Sequence, residues 1–431
     1  MLSSGQIDDA VKTLIYKIAD VHISHTVNMV EVKNYQKIAL GNFCPTNLLP
    51  YGIHAKSLNL PMLGNVLQNR DPTPRLGVKR TFSECVQDDV GAHSSHYVIT
   101  MVARSGSGKT STVIALAKNH FVIYVMCAYR GTSSPDFTDA NFADLAEEVR
   151  IMCEILREKF DRLTLDSILK YDRVLKDKAM DRVELEFLAR FMFLLLLFNK
   201  NPQLEPQDFF HEQINGGYKT IRLLVKELKA YNSVTIQEMR FYVHLELGKH
   251  LNGRGIVIAL DEAHAAVNYI LPDELISPAG LKDLHDGQIN NDDIFDFNKL
   301  IARSEYRCGF LNPLCAVLSN INVTLVVLGT AFSLLNADHL YSASSKPSAR
   351  FIRITNFSFA NEDDVSMILQ SLLDMSGCDI PKQKRQRLAG RFRFTTYIVE
   401  AITKVAFPET KSKQQILDEA ISAAESRAKG D

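Results

Sequence analysis

The eight residues Ala103-Arg-Ser-Gly-Ser-Gly-Lys-Thr110 constrain this chain more than any other stretch. They stand between a continuous apolar, β-branched run, YVITMVA at 97–103, and the segment STVIALAKNH, which has the composition of a helix. A buried strand, a Gly/Ser loop and a helix in that order fit a phosphate-binding loop. Its pattern is Gly, four residues, Gly-Lys, then Ser or Thr. Ala103 replaces the first glycine, a tolerated variation. Gly106 and Gly108 let backbone N–H groups close around phosphates, and the helix starting near Lys109 adds its positive dipole end. Lys109 brings a point charge to the β- and γ-phosphates, and Thr110 offers its hydroxyl to magnesium. The expected nucleotide-binding residues are Arg104, Ser105, Gly106, Ser107, Gly108, Lys109, Thr110 and Ser111.

Further buried strands follow that loop. FVIYVMC at 121–127, IVIALDE at 256–262 and VTLVVLGT at 323–330 are continuous apolar runs, and RFIRITNF at 350–357 reads as a fifth strand. Strands without polar alternation, separated by helical segments, imply a parallel α/β sheet covered by helices. A helical stretch at 142–248 interrupts the second and third strands and is unusually long for a crossover. Within it, 187–198 is FLARFMFLLLLF, which is too short to span a bilayer, carries Arg190 and reads as a buried helix. The resulting expectation is an α/β P-loop NTPase sheet of the additional-strand type. Residues 97–357 form it, with the insertion, and 358–431 form a helical or winged-helix lid. Residues 1–96 combine a helix at 7–18 with a Pro-rich linker.

Three more constellations bear on chemistry. Asp261-Glu262 ends the third strand, where a buried carboxylate needs a partner. Magnesium and its water supply one, so Asp261 is expected to hold the metal through water and Glu262 to polarise the attacking water. Thr330 ends the fourth strand, either as a contact to the γ-phosphate or lytic water or as a helix N-cap. The basic run 382–387 and Gly390-Arg391-Phe392-Arg393 carry three readings. Arg391 and Arg393 reach the γ-phosphate, the cluster at 382–393 binds nucleic-acid phosphates or directs nuclear import, or the run is a solvated helix face. Glu31-x-Lys33 has the form of a metal-dependent nuclease triplet and equally that of an amphipathic edge strand.

Composition narrows the partners. A formal net charge of -1 leaves no global field for nucleic acid or membrane, so any nucleic-acid contact must be local. The 7 Cys form no CxxC pair, which argues against a zinc ribbon or disulfide scaffold. The N-terminus lacks the basic start and long apolar run of a secretory signal. A guanine-reading Asn-Lys-x-Asp motif is absent, so ATP is the expected nucleotide.

The loop with its FVIYVMC strand, together with ALDEAH, LGTAFS and GRFRFTTYIVEAI, resembles the NTPase module of Crinkler effectors across 97–406. The resemblance implies a fungal or oomycete protein of a modular family, often secreted into host cells and their nucleus or cytoplasm, with a host protein as partner. It departs from the family plan in lacking a recognisable ubiquitin-like header. Three functions follow as expectations: an ATPase using Mg2+ to drive a conformational switch, an ATPase-controlled nuclease or DNA-binding effector, and a non-hydrolysing nucleotide-gated interaction module.

Overall fold

In the computed structural model the described residues are 4–19, 97–103, 109–117, 120–127, 140–160, 165–213, 217–268, 275–276, 307–319, 321, 323–330, 350–354, 361–372, 375–390, 392–404 and 411–428. The chain divides into two units. One comprises 1–23, 86–102 and 120–353, and the other 24–85, 103–119 and 354–431.

The first unit is built on a five-stranded sheet. Its strands are β1 (Tyr97–Val102), β2 (Phe121–Met126), β3 (Ile256–Asp261), β6 (Thr324–Gly329) and β7 (Arg350–Ile354), in the spatial order β2-β3-β6-β1-β7. The pairs β2–β3, β3–β6 and β6–β1 are parallel. A mixed α/β architecture with a parallel sheet is therefore present. Every residue of β2, β3 and β6 is buried, which is why these strands read as unbroken apolar runs. The ladder between β2 and β3 extends beyond both strands, through Phe121 N–H to Gly255 O at 3.2 Å and Cys127 N–H to Asp261 O at 2.8 Å. A two-residue hairpin, β4 (Leu275–Ile276) with β5 (Arg307–Cys308), is antiparallel.

Helices supply the rest of this unit: α1 (Ser4–Ala19), α3 (Ala140–Lys159), α4 (Leu165–Lys200), α5 (Pro206–Glu212), α6 (Tyr218–Leu228), α7 (Ser233–His250), α8 (His264–Asn268) and α9 (Leu311–Ser319). The 36-residue α4 is the axis, and α3, α6, α7 and α9 pack on it. Residues 185–198 of α4 are buried on every side, and a helix surrounded by other helices needs no polar stripe. Within this stretch Arg190 pairs with Glu186 at 2.8 Å, an internal, charge-balanced contact. Among the described residues no helix is long and apolar enough to cross a membrane. Asn232 caps α7 by accepting from Thr235 N–H. The hairpin is fixed to α4 by a side-chain pair. Asp172 accepts from Ile276 N–H at 2.7 Å, while Lys176 donates to Ile276 O at 2.6 Å and to Asp172 at 2.8 Å.

The second unit holds α2 (Lys109–Leu116) and four later helices: α10 (Glu362–Leu372), α11 (Lys382–Leu388), α12 (Phe392–Lys404) and α13 (Lys413–Ala428). Val365, Leu369, Leu388, Ile398, Ile402 and Leu417 meet in a core separate from that of the sheet.

Candidate functional site

The second unit carries the lysine of the loop. Lys109 is the first residue of α2 and is 5% exposed. Its Nζ donates to the carbonyl of Ala103 at 2.7 Å, so the ammonium folds back on the first residue of its own loop. A buried ammonium requires such acceptors. The positive end of the α2 dipole also favours an anion there. Thr110 follows, half-buried. Arg104, Ser105, Gly106, Ser107 and Gly108 lie outside the described residues, as does the side chain of Ser111.

The first unit carries the carboxylates. Asp261 closes β3 and is 1% exposed. Both of its oxygens are engaged: Oδ2 accepts from the Tyr124 hydroxyl at 2.7 Å and Oδ1 accepts from Glu262 N–H at 2.8 Å. Burial first, and then the adjacent Asp261 carboxylate, push the Tyr124 phenol well above its ordinary range, so it stays protonated and donates.

Glu262 has φ +53, in the left-handed region that a long side chain rarely adopts. Three further hydrogen bonds fix the turn: Ala263 N–H to Leu328 O at 2.8 Å, Ala265 N–H to Glu262 O at 2.9 Å, and Cys127 N–H to Asp261 O. Backbone strain held by so many contacts occurs where a side chain must point in one direction. His264 Nδ1 lies 3.2 Å from Glu262 Oε2, an ion pair when the ring is protonated.

Register aligns the strand ends. Leu260 pairs with Val327 and Val102 with Gly329, so β1, β3 and β6 finish at one edge of the sheet. Asp261, Glu262 and Thr330 leave from that edge, with Thr330 half-buried just past β6. Among the described residues no group of three or more His, Cys, Asp or Glu forms a metal cage. The donors expected for magnesium, the Asp261 carboxylate and the Thr110 hydroxyl, are hard oxygens of the kind this ion takes, and it keeps most of its own waters. Asp261 fits that role as a buried carboxylate whose orientation is set by hydrogen bonds to both of its oxygens.

The remaining expected residues divide. Arg391 lies outside the described residues. Arg393 belongs to α12 by its backbone, and its side chain is not among those described. In the basic run, Lys384 donates to Asp418 at 2.7 Å and is therefore ion-paired within its own unit. Glu31 and Lys33 lie outside the described residues. Sequence reasoning missed Tyr124 and gave His264 no role. The visible signal for Tyr124 was one hydroxyl in an otherwise apolar buried strand, a group that needs a partner. No protein-family model and no curated protein matches the chain.

Proposed function

We propose that this protein is an additional-strand P-loop ATPase. The supporting observation is the strand order. β1 leads into the Gly-Ser-Gly-Lys109 loop, β3 ends in Asp261-Glu262, and β6 is inserted between them. An inserted strand is the feature that separates hydrolases of this type from P-loop proteins whose two motif strands are adjacent.

The residues then take distinct roles. Lys109 leaves the Ala103 carbonyl and faces the β- and γ-phosphates as a point charge. Thr110 and Asp261 hold magnesium, which neutralises charge on the phosphate oxygens when bound. Glu262, fixed by its turn, orients the attacking water and accepts its proton. The water oxygen bonds to the γ-phosphorus, the bond to the bridging oxygen breaks, and ADP and phosphate leave. Thr330 contacts the same water or the γ-phosphate, and Arg391 and Arg393 supply guanidinium charge there. By its resemblance to Crinkler NTPase modules, the protein uses this cycle as a conformational switch toward a host target.

Glu262 distinguishes turnover from passive gating, since a pure nucleotide-binding module needs no such group. The test is nucleotide hydrolysis by the purified full chain, with and without DNA. Magnesium-dependent release of phosphate from ATP supports the proposal. Tight ATP binding without turnover leaves a nucleotide-gated module instead, and absence of both ends the P-loop reading.

A further inference from the structure

We infer that Tyr124 is the positioning residue of the Asp261 carboxylate, and that the helical insertion sets it through Gln213. The inference rests on the ATPase reading above and extends it to a strand that carries no recognised motif.

Tyr124 lies on β2, the edge strand, and pairs in register with Ala259 of β3. Its side chain is 5% exposed, and the hydroxyl meets Asp261 Oδ2 at 2.7 Å. The other oxygen takes Glu262 N–H. Two donors on different oxygens fix the tilt of the carboxylate plane, and with it the direction in which the group would meet a metal-bound water. Loss of the phenol removes the donor on Oδ2 and loosens the carboxylate about its terminal torsion, which is broad and shallow. Groups that orient a metal-binding carboxylate in this way commonly control metal affinity by about 10–100-fold.

The backbone of Tyr124 is held from the insertion. An edge strand exposes unpaired N–H and C=O groups, and here the Gln213 amide acts as a short neighbouring strand. Its Oε1 accepts from Tyr124 N–H at 3.1 Å, and its Nε2 donates to Val122 O at 3.1 Å. Phe210 meets the Tyr124 ring edge-on with centroids 6.0 Å apart. Gln213 and Phe210 both come from the α5 segment, so the inserted helices determine where the phenol stands.

The experiment compares ATP affinity with magnesium and with chelator in the full chain, using calorimetry, for wild type, Tyr124→Phe, Asp261→Asn and the double variant. In wild type, magnesium strengthens ATP binding. Tyr124→Phe keeps the ring packing, so its ATP affinity in chelator is expected to match wild type, while the gain from magnesium falls about 10-fold. In the Asp261→Asn background the same change is expected to have no further effect, because the phenol acts through the carboxylate. Additive effects, or an unchanged gain from magnesium in Tyr124→Phe, overturn the inference while leaving the ATPase reading intact. A wild-type chain that does not bind ATP removes the ATPase reading and the inference with it. If Tyr124→Phe does not fold, Gln213→Met carries the test. It releases the edge of β2 and is expected to reduce the gain from magnesium in the same direction, and an unchanged gain overturns the inference.

Discussion

At the scale of single residues, two side chains separate binding from turnover. Lys109 is buried against a backbone carbonyl, so its removal takes away the charge meant for phosphate without exposing a new apolar surface. Lys109→Ala is expected to abolish or severely weaken ATP binding, measured by fluorescence titration, and undiminished affinity would rule out its assigned role. Glu262→Gln keeps the side chain's size and removes its basicity. Binding is expected to persist while hydrolysis slows by about 10²–10⁴-fold, the usual worth of a positioned base. Glu262→Gly asks a different question. At φ +53 a glycine relieves strain on the order of 1 kcal/mol. The variant is expected to unfold at the same or higher denaturant concentration while losing turnover. A large loss of stability would mean that the carboxylate holds the turn, not the reverse.

At the scale of elements, the inserted helices meet at close quarters. A Cβ at Gly217 would stand 2.7 Å from Glu212 O and 2.7 Å from the Phe193 ring. Its φ of -53 is ordinary, so glycine is required there for space. Gly217→Ala is expected to cost about 1–3 kcal/mol, as overpacking does, read from the urea midpoint. α7 also carries a pH dependence. His244, half-buried with its ring 4.2 Å from that of Phe191, has its pKa lowered from 6.5 to about 4, mainly by burial and then by Arg240. His120 is shifted the same way by burial, and neither of its nitrogens has a partner among the described residues. Both rings are neutral in the folded protein and gain a proton more readily when unfolded. Stability is therefore full above about pH 6.5 and falls below it, by at most about 2 kcal/mol from His244 at pH 5. His244→Leu is expected to flatten the urea midpoint between about pH 6.5 and 5. The same slope in the variant would locate the effect elsewhere.

At the scale of the whole molecule, the loop lysine and the strand-end carboxylates are carried by different units, each with its own core. Lys109 and Thr110 stand in one, and Asp261, Glu262 and Thr330 in the other. A ligand that binds only the native chain stabilises it by mass action, by about 2.7 kcal/mol at a hundredfold excess over Kd. ATP with magnesium is expected to raise the melting temperature of the wild type and to leave that of Lys109→Ala unchanged. An equal rise in both would show that the stabilising site is not the loop.

The amino-acid sequence by itself marked the five strands of the main sheet and the long helical stretch between the second and third, but not the β4–β5 hairpin or α9. Short unbroken apolar runs such as FVIYVM and IVIALD read as strands covered on both faces, and the helical segments are legible from short-range pattern as well. It also located Lys109 after a strand and Asp261-Glu262 at the end of another, because motif and element adjoin in the chain. Which strand neighbours which was decided by long-range burial, and that puts β6 between β1 and β3. The Tyr124 hydroxyl found Asp261 across 137 residues, and Gln213 found the edge of β2 across 89. No local period encodes such pairs, since each exists only once the sheet and its helices have closed around two polar groups that burial would otherwise leave unsatisfied. The left-handed turn at Glu262 has the same origin. Nothing in Asp-Glu-Ala-His favours it locally, and the bonds to Asp261 and Leu328 that hold it come from the assembled sheet.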